Sequence, residues 1–230
     1  MRFGVFLLSI VLVIPLAVGC ASTRDRTPHF DRALQLGALG RIEDARTELL
    51  ASTEEGEFGD DEVTIDILVR FADAALDSTH SMAAAARVFS GYAAAVTEDP
   101  CGGIALMDSV FHKEPSASLA LLLAMAYSSY SLQFPRDWHL DLSDNVMCLG
   151  QTRGSIQRRD LAVRSIRLAA TALRRDPDSD IAHYLLSSVY YTIGEYDKAY
   201  QECREARDAG RPCSQRMLDK IIHARYESTR

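Results

Sequence analysis

Glycine and proline are scarce, at 13 and 7 in 230 residues. That is below the usual combined share of roughly 12%, and it excludes a loop-rich β-protein. Cations are in deficit: 25 Lys and Arg stand against 32 Asp and Glu, for a net charge of −7 and a pI near 5.4. A chain this acidic is not a general nucleic-acid binder, because phosphate neutralisation needs a basic surface. No stretch alternates apolar and polar residues with period two, so no sheet is expected. The common catalytic signatures are also missing: no P-loop, no dinucleotide-binding glycine fingerprint, no HExxH and no GxSxG. The histidines at 29, 80, 112, 139, 183 and 223 are scattered and include no i, i+4 pair. Asp137, Asp141, Asp144 and Asn145 do not make a calcium loop, because Val146 stands where glycine is required and Thr152 where glutamate is. These absences lead to an expectation of no catalytic residue, no metal, no cofactor and no enzymatic activity.

The composition that remains is that of a folded protein, with 47% apolar and 25% charged residues. The length suits one domain of ordinary size. The N-terminus is the sharpest local signal. Arg2 precedes a nearly unbroken apolar run from Phe3 to Val18, which ends in Leu16-Ala17-Val18-Gly19-Cys20. The run is short for a membrane span and fits a secretory signal peptide. Its end resembles the lipobox of bacterial lipoproteins. The resemblance implies that residues 1–19 are removed, that Cys20 is acylated (palmitate among the chains), and that residues 20–28 tether the body. Two or three acyl chains anchor stably where one does not. Ala21 follows the cysteine where an aspartate favours inner-membrane retention, so the resemblance implies an outer-membrane lipoprotein facing the periplasm. Loss of Arg2 with the leader leaves the body still more acidic, so it should stand off an anionic membrane.

From residue 29 onward the period is helical. Leu34, Leu36, Leu39, Ile42, Ala45, Leu49 and Leu50 fall mostly three or four apart, and a second stripe runs from Val63 to Leu76. Residues 82–96 are rich in alanine, and a shorter stripe spans 104–111. Residues 119–132 are apolar nearly all round, as a central buried helix would be. Further periodic segments cover 161–173, 181–193, 196–209 and 217–226. Proline and glycine breaks separate them at Gly56 to Gly59, Pro100, Pro115, Pro135, Pro177 and Pro212. The reading is all-α, with nine or ten helices.

Residues 180–212 carry a repeat pattern: Leu186, Tyr190, Gly194, Tyr196, Ala199 and Ala206. Alanines let two helices approach closely, and a glycine makes the tight turn between them. The pattern resembles the tetratricopeptide repeat (TPR), with His183 in place of the usual tryptophan and Cys203 in place of the usual aromatic. Ser165 and Ala172 stand one repeat length before Ala199 and Ala206. The best partner for their helix is the apolar helix carrying Leu123, Ala124 and Tyr127. Residues 133–158, with Pro135, the lone Trp138 and the aspartates, then form a non-repeat insertion within one hairpin. Leu36, Gly40, Ile42, Ala45 and Leu49 match the pattern near the N-terminus. The resulting expectation is one TPR-like helical-hairpin array over 29–230. The layout more faintly resembles the TPR lipoproteins that accompany TRAP-type transporters.

The resemblance to TPR proteins implies a groove lined by the first helix of each hairpin. With Leu186 and Tyr190 pointing into the core, Ile181, Tyr184, Ser188, Tyr191 and Thr192 share the opposite side of their helix. Tyrosine offers apolar area with a polar tip, which suits a peptide. These five residues are the expected partner-binding strip. Cys101, Cys148, Cys203 and Cys213 allow three disulfide pairings in a compartment that permits them. Cys203 with Cys213 would be a local bridge, and Cys101 with Cys148 would pin the insertion. The arginines at 158, 159, 164, 167, 174 and 175 read as a solvated helix face. The functional expectation is a non-enzymatic scaffold that binds a protein or peptide at the envelope and meets the membrane through its lipid, without nucleic acid. The alternative is a transporter-accessory or solute-binding lipoprotein, with a small solute held near residues 116–158.

Overall fold

The computed structural model describes residues 28–54, 60–77, 80–97, 99–132, 139–142 and 154–228. The leader, Cys20, most of the tether, Trp138, Cys148 and the aspartates at 137 and 144 lie outside the described residues. Ten α-helices are found among those described: α1 (Pro28–Ala38), α2 (Ile42–Glu54), α3 (Asp60–Leu76), α4 (Met82–Val96), α5 (Pro100–Phe111), α6 (Ala117–Leu132), α7 (Arg158–Arg175), α8 (Asp180–Thr192), α9 (Tyr196–Asp208) and α10 (Gln215–Ser228). The fold is an all-α helical-hairpin array. The expectation of no sheet needs one correction. Strand β1 (His139–Leu142) pairs antiparallel with β2 (Gly154–Gln157), with Leu140 opposite Ile156. Each strand is four residues long, too short for a period to register in sequence. Two boundaries also shift, since Pro28 opens α1 and Arg158 already belongs to α7.

Local chemistry sets the helix ends. Ser81 accepts a hydrogen bond from the Ala84 N–H at the start of α4, and Asp99 does the same for Gly102 at the start of α5, where Pro100 occupies the first turn. α1, α8 and α9 end on Gly40, Gly194 and Gly210, with φ of 78°, 84° and 106°. After each glycine the next N–H reaches back over the turn: Arg41 to the Leu36 carbonyl, Glu195 to Tyr190 and Arg211 to Ala206. This is the Schellman closure, and glycine adopts its left-handed residue without the Cβ penalty.

Four hairpins stack: α1 with α2, α4 with α5, α6 with α7, and α8 with α9. Their first helices contact in series, α1 on α4, α4 on α6 and α6 on α8. At three of the hairpin crossings two small residues meet, and the fourth has small residues at the matching places. The Ser187 hydroxyl donates to the Ala199 carbonyl at 2.8 Å, and the Ser165 hydroxyl to the Ala124 carbonyl at 2.7 Å. A Cβ added to Gly91 would sit 2.9 Å from the Gly103 carbonyl oxygen. Ala33 and Ala45 hold the same places about Gly40 that Ser187 and Ala199 hold about Gly194, and both are fully buried. The α6–α7 hairpin therefore joins the two segments expected to pair, with β1 and β2 in the connection between them.

Two helices stand outside the hairpins. α3 packs on α2, α4 and α6, which is why Ile65, Ile67, Leu68, Phe71 and Ala72 are all fully buried. With α3 on one side and hairpins on the others, α6 is buried from Leu119 through Ala124, as its sequence implied. Each such leucine contributes about 2 kcal/mol relative to exposure. Three leucines expected in the stripes lie partly outside the core: Leu39, Leu50 and Leu76 are exposed, Leu39 at 76%. α10 closes the C-terminal end over a separate small cluster of Ala199, Cys203 and Ile221. No helix among the described residues is long and apolar enough to cross a membrane.

Candidate interaction surface

α8 carries the five residues expected to form a binding strip, and its packing splits them. Ile181 is fully buried in the main core, so it is removed from any open surface. Its position one turn from Leu185 puts it against the preceding hairpin, which the hairpin's own pattern could not reveal. Tyr191 packs on the small cluster beneath α10, with its ring 5.8 Å from that of Tyr196. Tyr184 is half-buried at the edge of the main core. Ser188 and Thr192 are half-buried, and the Thr192 hydroxyl donates to the Ser188 carbonyl at 2.9 Å. What remains of the strip is Tyr184, Ser188 and Thr192.

The inward side of α8 matches the expected packing. Leu186 is buried. Tyr190 lies between the two clusters under Lys198, whose Nζ is 5.5 Å from the ring centroid. Burial raises the Tyr190 pKa above the usual phenol value; Glu202 and Glu195 push the same way, and Lys198 opposes them. In α6, burial likewise raises the pKa of Tyr127, against the lowering effect of Arg164, and that of Tyr130, with Asp99 adding to it.

A charged network ties α3 to the C-terminal hairpin. Arg211, just past α9, donates from Nη2 to Asp66 at 2.5 Å and from Nε to Asp180 at 3.0 Å. Arg70, one turn along α3 from Asp66, reaches both carboxylates at 3.3 Å. Sequence reasoning missed all four residues. Asp66 and Arg211 are 145 positions apart, and no local pattern connects them. α3 thus lies over the first helices α4 and α6 and is held to the start of α8.

Beside this network is a half-open cleft of about 400 Å³ between α2, α3 and Arg211. It is not the pocket expected near residues 116–158, most of whose insertion side lies outside the described residues. Cys203 and Cys213 are disulfide-bonded. Cys101 is disulfide-bonded too, while Cys148, its expected partner, lies outside the described residues. No group of three metal-ligating side chains occurs among the described residues. No family model, no curated protein and no solved structure matches the chain.

Proposed function

We propose that the chain is a lipid-anchored, TPR-like scaffold that holds a protein or peptide partner at the periplasmic face of the outer membrane. The observation that supports this reading is the recurrence of small residues at matching places in four stacked hairpins: they meet at Gly91–Gly103, Ala124–Ser165 and Ser187–Ala199, and Ala33 and Ala45 are fully buried at the same places. Stacked hairpins bury their core against one another and offer long continuous surfaces to partners. α3 covers the first helices of the middle hairpins. The partner surface is therefore assigned to the α8 end, at Tyr184, Ser188 and Thr192.

The test is recovery of partners from an envelope extract with tagged mature protein and with Ser188→Arg. A partner captured by the wild type and lost from the variant, with unchanged circular dichroism and melting, supports the scaffold reading. Identical recovery from both, or recovery of nothing, overturns it.

A further inference from the structure

The cleft between α2 and α3 has a floor and a rim of different chemistry. Leu50, Ile65 and Val69 line it with aliphatic surface, and Leu50 remains 38% exposed although its neighbours on α2 are packed. Its volume of about 400 Å³ lies within the roughly 300–1,000 Å³ range of small-molecule sites. The rim carries the carboxylates of Glu62 and Asp66, the Thr53 hydroxyl and the Arg211 guanidinium.

The charges on this rim are unequal in availability. Arg211 is shared between Asp66 and Asp180, and Asp66 is shared between Arg211 and Arg70. Within this set two cations meet two anions, so neither Arg211 nor Asp66 presents net charge to the cleft. Glu62 takes part in no ion pair among the described residues and is exposed to solvent, which leaves one uncompensated negative charge. Thr53 donates its hydroxyl hydrogen to the Leu50 carbonyl at 2.6 Å, so its oxygen is left as an acceptor. The rim therefore offers two acceptors, one of them charged, above an aliphatic floor. Among the described lining residues an anion would meet Glu62 with no free cation beside it, whereas an ammonium suits these acceptors.

We propose that this cleft binds a small organic amine, with its ammonium on Glu62 and Thr53 and its aliphatic body on Leu50, Ile65 and Val69. Both acceptors stand at the solvent-exposed rim, so the ammonium keeps part of its hydration while the aliphatic body is covered by the floor. The residues lining this cleft are separate from Tyr184, Ser188 and Thr192 on α8. Failure of the site would leave the scaffold reading standing.

The probe is pentylamine, with pentanoate as the anion of matching shape, each titrated by calorimetry into the full chain in non-ionic detergent. Saturable pentylamine binding is expected, together with no saturable pentanoate binding. Glu62→Gln should weaken the amine severalfold, because it removes the charge that holds the ammonium at an exposed site. Glu62→Lys should abolish it. Glu62 is exposed, so both variants should melt with the wild type, which separates loss of the site from loss of the fold. Absent amine saturation, equal amine binding by Glu62→Gln, or saturable pentanoate binding to the wild type would each overturn the proposal.

Discussion

The His183 imidazole nitrogen Nδ1 lies 2.7 Å from the Glu202 carboxylate. The first hairpin repeats the pairing, with His29 Nδ1 2.6 Å from Glu48 and the same separation of 19 residues. In each case the histidine stands on the first helix and the glutamate on the second, at matching places about Gly194 and Gly40. In the resemblance to TPR proteins, His183 holds a site where a tryptophan normally fills space between helices. Here a polar clasp joins the two helices instead. His183 is mostly buried with its side chain 16% exposed, while His29 is 38% exposed. His183→Ala should therefore cost about 1–2 kcal/mol, and His29→Ala less, because water competes better for an exposed pair. Urea denaturation of the two variants checks the order.

Gly103 tests the crossing of the α4–α5 hairpin. An added Cβ there would overlap the Gly91 carbonyl and the Ala95 backbone. Backbone cannot rotate out of the way as a side-chain tip can, so the helices must separate. Gly103→Ala should cost about 3 kcal/mol, outweighing the roughly 1 kcal/mol of helix propensity that alanine gains. Gly210→Ala is the contrast. Nothing lies within 4 Å of its added Cβ, and only the φ of 106° opposes it, so the expected cost is about 1–2 kcal/mol. Parallel denaturant titrations would show whether Gly103→Ala is the more damaging.

These crossings also show what the sequence made legible. Gly194, Ala199 and Ala206 stood out because the C-terminal hairpin keeps the repeat's usual residues. The α6–α7 pairing was legible because Ser165 and Ala172 recur one repeat before them. The α4–α5 hairpin was not, since Ala94 stands where Leu36 and Tyr190 stand in the others, and glycines replace alanines at the crossing. α3 could not be placed from its stripe, because its polar face of Glu62, Asp66, Arg70 and Asp73 marks the outward side without saying which helices the buried side meets. The burial of Ile181 and the bridge from Asp66 to Arg211 belong to the stacking of hairpins, which no single hairpin's pattern contains.

Acid should loosen the connection between α3 and α4. Glu114, after α5, accepts hydrogen bonds from the Ser81 N–H and hydroxyl, each at 3.1 Å, and lies 3.4 Å from the buried His80 ring. The Ser81 backbone bond is the largest influence and holds the Glu114 pKa below its ordinary value of 4.5, with partial burial opposing and the Ser81 hydroxyl and His80 assisting. A carboxylate with a lowered folded-state pKa contributes stability above its unfolded pKa and loses it as pH falls through the folded one. The contribution should therefore be intact at neutral pH and fade below pH 4.5. Melting curves collected across that range should fall less steeply for Glu114→Gln than for the wild type.

Cys20 carries the proposed anchor, and the signal is the apolar run closed by Ala17-Val18-Gly19-Cys20. Cys20→Ala should remove the acylation site and leave the protein mis-processed or released from the membrane fraction. Detergent-phase partitioning with metabolic palmitate labelling reads the outcome. A variant that is still cleaved and still partitions into detergent would refute the lipoprotein reading.

The Cys203–Cys213 disulfide bears on α10 more than on the array. Cys203 sits in the small cluster with Ala199 and Ile221, and Cys213 stands in the short connection that leads into α10. α10 is held by Ile221, its buried residue, by Met217 and Leu218 partly buried against the same cluster, and by Arg225, which reaches Asp197 at 2.7 Å and lies 4.5 Å from the Tyr200 ring centroid. Closing a loop of this length removes about 2–3 kcal/mol of unfolded-chain entropy. A double Cys203→Ser, Cys213→Ser variant should lose that amount, and α10 should lose it first, because its remaining contacts are small and partly exposed. Amide hydrogen exchange checks the order. Protection in α10 should fall while α6, buried from Leu119 through Ala124, keeps its own. Equal loss in both helices would mean that α10 is cooperative with the whole array, and that the bridge stabilises the fold globally.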